Sequence, residues 1–413
     1  MNSNLSKPRV AIIGGGAAGF FAAFSVVEHH VDSEVVIFEK TGKTLAKVKV
    51  SGGGRCNVTN ACFSASKLSK FYPRGEKQMK KLFSVFQAKD TVEWFAQRGV
   101  ELKAEGDNRM FPVTDNSKTI IDCFHKEAER LNIKVMLQKA VNKIVPRSDG
   151  FSLHVGSEVE FFDKVIVATG GSPKETGFDW LKSLGHTITT PQPSLFTFNI
   201  PHDPIKKLMG LVVENATVRI QGTKLSYVGP VLITHWGMSG PAVLKLSAWG
   251  ARVLAEKEYV FKIQINWLPI KSEHEANEML DEEMKVIRRK KMINGNLFGL
   301  PRRMWAFVLD KAGIDGDMVW HQLSKKNRNK LLNILLNDVY DVRGKTTFKE
   351  EFVTCGGVAL SDLNMLTMES LKCKGMYFAG EVIDVDGITG GFNFQAAWTT
   401  GYVAGKLNSK YKC

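Results

Sequence analysis

Val10-Ala11-Ile12-Ile13-Gly14-Gly15-Gly16-Ala17-Ala18-Gly19 decides the fold of this chain. An apolar run breaks into Gly14-x-Gly16-x-x-Gly19, and a second apolar run ends in Glu39. That layout predicts a strand, a tight phosphate loop, a helix and a second strand closed by an acid. Gly14 allows the tight turn, Gly16 lets a pyrophosphate approach the backbone, and Gly19 lets the helix pack closely. Unpaired N–H groups and the positive end of the helix dipole then face the phosphates. Glu39 falls 20 residues after Gly19, near the ~20-residue offset of an acid that binds ribose hydroxyls.

The same stretch has a competing reading. Val10 to Val27 is 18 residues without a charge, the lower limit for a membrane span, and Arg9 in front resembles a signal-peptide n-region. Four glycines in its middle and the acid at Glu39 favour the nucleotide fold, and no other stretch resembles a span. With 413 residues, 44% hydrophobic and 24% charged, the chain is long enough for two or three domains and reads as a cytoplasmic protein. Its six cysteines form no CxxC pair and have no metal-ligand spacing with histidine. A reduced compartment is the simplest reading, and a disulfide-reductase flavoenzyme is disfavoured.

The net charge of +14 is concentrated. Between Lys40 and Lys89 stand twelve Lys/Arg and a single acid, Glu76, whereas the rest of the chain is nearly balanced. Such a field attracts polyanions and is a footprint for nucleic acid. Phe63, Phe71, Tyr72, Phe83 and Phe86 are interleaved and can stack on unpaired bases. The bland reading is that some charges offset a pyrophosphate, others are solvated, and the aromatics are core.

Along the chain, residues 9–40 form the opening βαβ unit and 47–60 a loop. Residues 77–98 and 117–131 have helical patterning, and strands follow near 133–145, 151–155 and 158–169. The texture changes after Pro191-Gln192-Pro193 to short β-like runs, which suggests a small β-barrel or sandwich. A charged helical stretch follows, and the nucleotide-fold texture returns near Lys345. The expected fold class is α/β, a Rossmann-like nucleotide domain split by a β-barrel or sandwich and a small helical insert. Its expected parts are 1–192 and 344–413 for the nucleotide domain, 193–270 for the barrel, 271–330 for the helices and 331–343 for a return strand.

Three glycine-marked turns follow β-like strands: Gly14–Gly19, Ala168-Thr169-Gly170-Gly171 and Gly380-Glu381. Turns at the carboxyl ends of strands line one crevice, and three of them suit a long ligand such as FAD. A helix opening near Gly391 would aim its N-terminus at a flavin pyrimidine edge. Ser51-Gly52-Gly53-Gly54-Arg55-Cys56-Asn57-Val58-Thr59-Asn60 offers close backbone approach and donors for phosphate or flavin oxygens. Cys56 is either a redox thiol or packing. In the insert, His235 sits in Thr234-His235-Trp236-Gly237-Met238-Ser239-Gly240-Pro241 as a proton donor or a structural histidine. Arg109-Met110-Phe111-Pro112 is a further candidate rim. No second GxGxxG follows a strand, so a nicotinamide must dock transiently or electrons come from elsewhere.

These blocks, with Gly380-Glu381-Val382-Ile383-Asp384-Val385-Asp386-Gly387-x-Thr389-Gly390-Gly391-Phe392-Asn393-x-Gln395, resemble the BaiN/RdsA (YhiN-like) flavoproteins over residues ~10–401. The resemblance implies FAD, transient NADH or NADPH, and reduction of a carbon–carbon double bond conjugated to a carbonyl. The substrate it implies is either a uridine of ribosomal RNA, giving dihydrouridine, or a small steroid-like enone. In either case hydride goes to one carbon and a proton to its neighbour. A third class is a flavin-carrying RNA-binding factor without turnover. The candidate cofactor-binding residues are Gly14, Gly16, Ala18, Gly19, Glu39, Lys40, Ser51, Gly52, Gly54, Arg55, Cys56, Asn57, Val141, Ala168, Thr169, Gly170, Gly380, Glu381, Gly391, Phe392, Asn393 and Gln395. His235 and Arg55 are the catalytic candidates.

Overall fold

A computed structural model describes residues 7–270, 272–347 and 353–408. The chain divides into two compact units, Met1–Ser194 with Lys349–Cys413, and Leu195–Phe348.

The first unit is built on β1 (Arg9–Ile13), α1 (Ala17–His29) and β2 (Glu34–Phe38). Its seven-stranded sheet runs in the order Leu363–Asn364, Glu369–Ser370, Met376–Phe378, Lys164–Val167, β1, β2, Lys134–Met136. The five strands from Met376–Phe378 onward are parallel. β2 lies on one side of β1 and the later strand Lys164–Val167 on the other, so chain order reverses at β1. In an open α/β sheet that reversal opens a crevice at the carboxyl ends of the strands.

The uncharged run becomes this buried strand and a 13-residue helix. α1 is apolar nearly all round because it lies under the last helix, Phe392–Gly405, as well as on the sheet. Gly401 and Gly405 permit that closeness, since a Cβ there would stand 2.6 Å from the Ala18 carbonyl oxygen and 2.4 Å from that of Ala22. Among the described residues no helix is long and apolar enough to cross a membrane.

Two local expectations change. The single helix expected over 77–98 is two, Glu76–Leu82 and Ala88–Ala96. Gln87 caps the second, and the Asp90 carboxylate accepts the Gln87 N–H at 2.7 Å, a capping box inside the apolar periodicity. The loop expected from Lys47 begins as helix α2 (Ala46–Gly54), which breaks where Ser51 turns extended and Gly52 and Gly53 adopt positive φ. The chain then enters the short strand β3 (Thr59–Asn60).

The second unit holds a seven-stranded antiparallel sheet, ordered Asp338–Arg343, Val260–Asn266, Val212–Ile220, Ser226–Ile233, Gly237–Ser239, Thr197–Asn199, Lys345–Thr346. Its outer strands are consecutive in the chain, joined at Gly344, and the described pairing does not close them into a barrel. Helices Glu273–Ile287, Arg302–Ala312 and Lys325–Asn337 share one apolar core with this sheet, including Trp267, Trp305 and Trp320. The strand-rich and helical parts, expected as separate inserts, therefore share a core.

Candidate functional site

The phosphate loop shows why each glycine stands where it does. The Gly14 N–H donates to the Phe38 carbonyl and the Ala168 N–H to that of Ile13, each at 2.8 Å, so the loop starts between two strand ends. Gly14 has φ +113°, and a Cβ there would lie 2.4 Å from the Ala168 oxygen. A Cβ on Gly19 would lie 2.0 Å from the Gly14 oxygen, so only glycine lets α1 sit this close. Gly16 differs: a Cβ there would meet nothing within 4 Å. It begins α1, whose first turn has no capping side chain and no acid. An open approach to uncapped helix N–H groups fits a pyrophosphate.

Glu39 closes the neighbouring side. One carboxylate oxygen accepts the Gly15 N–H at 2.9 Å, and the other accepts the Thr41 N–H and hydroxyl, each at 2.8 Å. The acid is thus tied to the phosphate loop itself. Lys40 beside it is exposed. Val141 begins the strand Val141–Pro146, just after Lys139, whose N–H donates to the Glu39 carbonyl at 2.9 Å.

The turn after Lys164–Val167 carries Ala168, Thr169 and Gly170, and Gly170 has φ +75° with open space on its Cβ side. The turn after Met376–Phe378 brings Gly380 to Ala18, where a Cβ would stand 2.7 Å from that of Ala18. Glu381 joins three segments. It pairs with Lys47 at 2.6 Å and accepts the Thr354 N–H at 2.9 Å and the Thr354 hydroxyl at 3.2 Å.

The Ser51–Asn57 segment is shaped largely by one ring. A Cβ on Gly52 would lie 2.9 Å from Phe111 Cε1, whereas Gly53 and Gly54 face open space. The Cys56 N–H donates to the Ser51 carbonyl at 2.9 Å. Arg55 stacks on Phe111, with its guanidinium carbon 4.0 Å from the ring centre, and pairs with Glu105 at 2.6 Å and Asp115 at 3.4 Å. The hydrogen bond to Glu105 raises the Arg55 pKa. The Cys56 thiol is fully buried, and burial pushes its pKa up to about 12. It therefore lacks the exposed thiolate of a redox cysteine.

The last helix opens against the same segment. Gly391 has φ +89°, and a Cβ there would be 2.4 Å from the Thr59 carbonyl oxygen. With its amide oriented to suit both neighbours, Asn57 accepts the Gly391 N–H at 2.9 Å and donates to the Thr59 carbonyl at 3.1 Å. Asn60 donates to the Gly390 carbonyl at 3.2 Å. The side chains that follow are held within the protein. Phe392 stacks on Phe71, Asn393 bonds the Gly387 N–H and carbonyl, and buried Gln395 accepts from the Thr59 and Thr91 hydroxyls and donates to Thr399. These three side chains brace the turn and the helix start, which leaves backbone groups as the direct ligand contacts this segment can offer.

Several further braces join residues far apart in sequence. Tyr72 donates to the Phe392 carbonyl at 2.6 Å, and Arg74 makes a buried ion pair with Asp386, which also accepts from Ser194. Asp386 lies inside the Asp-Gly-x-Thr-Gly-Gly block, and Phe111 inside the candidate rim, so both carried a signal. The base-stacking expectation changes. Tyr72, Phe83 and Phe86 are buried, Phe71 is half-buried on Phe392, and Phe63 is exposed.

His235 belongs to the second unit and is exposed, its ring 4.5 Å from that of Trp236. The turn that presents them is held by the Thr234 hydroxyl, which accepts the Trp236 and Gly237 N–H groups.

Fold and crevice together define a Rossmann-type dinucleotide-binding protein. The chain belongs to the HI0933-like family: the HI0933-like protein Rossmann domain model matches residues 8–407. It is 26% identical over 409 residues to a 3-dehydro-bile acid delta(4,6)-reductase of Clostridium scindens, covering 96% of this chain and 98% of that protein. It is 27% identical over 401 residues to a ribosomal RNA dihydrouridine synthase of Escherichia coli, covering 95% of both. Among solved structures, the 3-ketosteroid delta1-dehydrogenase of Sterolibacterium denitrificans superposes with a TM-score of 0.52 at 10% identity, over 98% of this chain and all of that one, a likeness of fold.

Proposed function

We propose that this protein is an FAD-dependent, NAD(P)H-driven oxidoreductase that reduces an activated carbon–carbon double bond, with a uridine of ribosomal RNA as the substrate. The observation that carries the flavin reading is the pair of uncapped helix starts, at Gly16 and at Gly391, each bordered by a glycine-shaped turn. Bound FAD supplies the two-electron chemistry. Gly14, Gly16 and Gly19 shape the pyrophosphate seat, and Glu39 takes the ribose. Backbone groups of Ser51–Asn57, Gly380 and Gly391 line the flavin end. The start of the last helix stabilises negative charge at the pyrimidine edge. Arg55 is a positioning residue for the glycine segment, since its guanidinium is already engaged by Glu105 and Phe111. His235 is the candidate proton donor, because it is exposed on a shaped turn.

The RNA substrate is supported by charge. Lys67, Lys77, Lys80 and Lys81 of the basic segment are exposed and form no ion pair among the described residues. The likeness to a bile-acid reductase over nearly the whole chain supports a second reading, a small steroid-like enone. Nucleoside mass spectrometry of large-subunit RNA from a deletion strain separates the two. Loss of dihydrouridine is the expected result. Unchanged dihydrouridine, with an enone reoxidising the reduced protein, replaces the first reading by the second.

A further inference from the structure

Away from the dinucleotide crevice, the first unit carries an open groove of about 910 Å³, between the outer strand Lys134–Met136 and the helix Ser117–Arg130. Its floor is aliphatic. Ile133, Val135 and Leu137 alternate along one face of the strand, and Ile121 meets them from the helix. Leu137 is 44% exposed, so this strip is not closed by the fold.

The cationic groups collect at one end, near the carboxyl ends of the strands, while Glu129 stands at the far end beside Ile133. Lys43 follows β2, Lys49 stands in α2, and Lys118 lies in the first turn of the helix. The Ser117 hydroxyl donates to the Lys49 carbonyl at 2.8 Å, which fixes α2 beside that helix start. Lys118 is neutralised by Asp122, but Lys43 and Lys49 make no ion pair among the described residues. Many neighbouring lysines are paired: Lys47 with Glu381, Lys103 with Asp115, Lys134 with Glu34. His125 bonds the Thr44 hydroxyl at 2.8 Å and closes this end. Thr44 also lies against the phosphate loop, its Cγ2 2.9 Å from where a Gly15 Cβ would be, so one loop separates the groove from the crevice.

We infer that this groove binds a nucleoside phosphate, a second nucleotide beside the one in the crevice. An aliphatic slot suits a flat base, and unneutralised cations at a helix start suit its phosphates. The volume lies within the ~300–1,000 Å³ of small-ligand sites. A nucleic-acid strand fits less well, because among the described residues the groove has no Phe, Tyr or Trp for stacking, and its one ring, that of His125, is tied to the Thr44 hydroxyl.

The test is calorimetric titration of the FAD-loaded full chain with ADP, after removal of free FAD, with the flavin absorbance confirming that the crevice stays filled. Saturable binding of one ADP per chain is the expected result. Lys43→Ala/Lys49→Ala and, separately, Leu137→Asp should each weaken it at least tenfold, with bound FAD and melting temperature unchanged. Absence of saturable binding, or wild-type affinity in both variants, overturns the inference. Flavin bleaching by NADPH identifies the source of the nucleotide. If ADP competes and the double variant needs about tenfold more NADPH for half-maximal rate, the site holds the electron donor. If ADP binding weakens while bleaching is unaffected, it holds a free nucleotide. ADP binding is read without turnover, so a wild type that neither nicotinamide bleaches defeats the reductase reading and leaves this result standing.

Discussion

The Arg55 guanidinium carbon lies 4.0 Å from the centre of the Phe111 ring, and an edge atom of that ring is 2.9 Å from where a Gly52 side chain would begin. One aromatic residue thus contacts both ends of the glycine segment. The ion pair with Glu105 is about one-third exposed, so its contribution to stability is on the order of 0.2–1 kcal/mol, and the stacked cation adds about 0.5–1 kcal/mol. Arg55→Ala should therefore unfold only slightly earlier in urea, yet bind FAD distinctly more weakly. Arg55→Lys keeps the charge but loses the planar stack, and should recover only part of the affinity. Wild-type FAD affinity in Arg55→Ala, measured by flavin fluorescence, would remove the positioning role.

Gly16 and Gly391 separate folding from binding. Gly16 has an extended conformation and open space on its Cβ side, so Gly16→Ala should fold normally, within about 0.5 kcal/mol of wild type. Its methyl group enters the approach to the phosphates, and the purified protein should lose most of its FAD. Gly391→Ala faces both a left-handed conformation and the Thr59 oxygen. It should lose stability and cofactor together, by at least about 1–2 kcal/mol for the backbone alone. Paired urea melts and released-FAD assays read both quantities. Full FAD retention in Gly16→Ala would defeat the proposed pyrophosphate seat.

The opening βαβ unit was legible because its signals are local: turn glycines, an apolar period and an acid at a set distance all lie within residues 10–39. The start of the last helix was legible for the same reason, as Gly390-Gly391 precede it directly. What stayed hidden depends on contacts far apart in sequence. Nothing near Gln395 indicates that its amide is taken by Thr59 and Thr91. The aromatics of the basic segment looked available for stacking, yet Tyr72, Phe83 and Phe86 are core, because elements that pack on them come from elsewhere in the chain. The break at Phe83–Gln87 was masked because the apolar period continues through it, and only the Gln87–Asp90 pair marks a new helix.

Cys56 gives a prediction in pH. Burial raises its thiol to about 12, and only the thiolate is a good nucleophile. At pH 8 the thiolate fraction is on the order of one in ten thousand, and the side chain is also shielded from reagent. Alkylation of the native protein by iodoacetamide, followed by peptide mass spectrometry, should leave Cys56 unmodified from pH 7 to 9. Modification should appear once the protein is unfolded, when the thiol returns to its ordinary range near 8.5. Rapid labelling of Cys56 in the native state would restore it as a candidate redox thiol.

Arg74 and Asp386 form a buried pair, and Ser194, the last residue before the second unit, donates to the same carboxylate. The pair therefore ties the loop before Gly390-Gly391 to the point where the chain leaves the first unit. Removing the carboxylate leaves the buried Arg74 charge without its counter-ion, a loss that costs about 3–5 kcal/mol in buried pairs. Asp386→Asn should show that loss in urea unfolding, with weaker FAD retention, since Asn393 holds the adjoining turn through Gly387. Replacing both partners by apolar residues, as in Arg74→Met/Asp386→Leu, should recover much of the stability, because desolvation of both charges is then avoided. The double variant should recover less of the FAD affinity, since the Ser194 contact is not restored. If Asp386→Asn is as stable as wild type, the pair is not what fixes this loop. If the double variant regains both stability and FAD, apolar packing alone positions the turn.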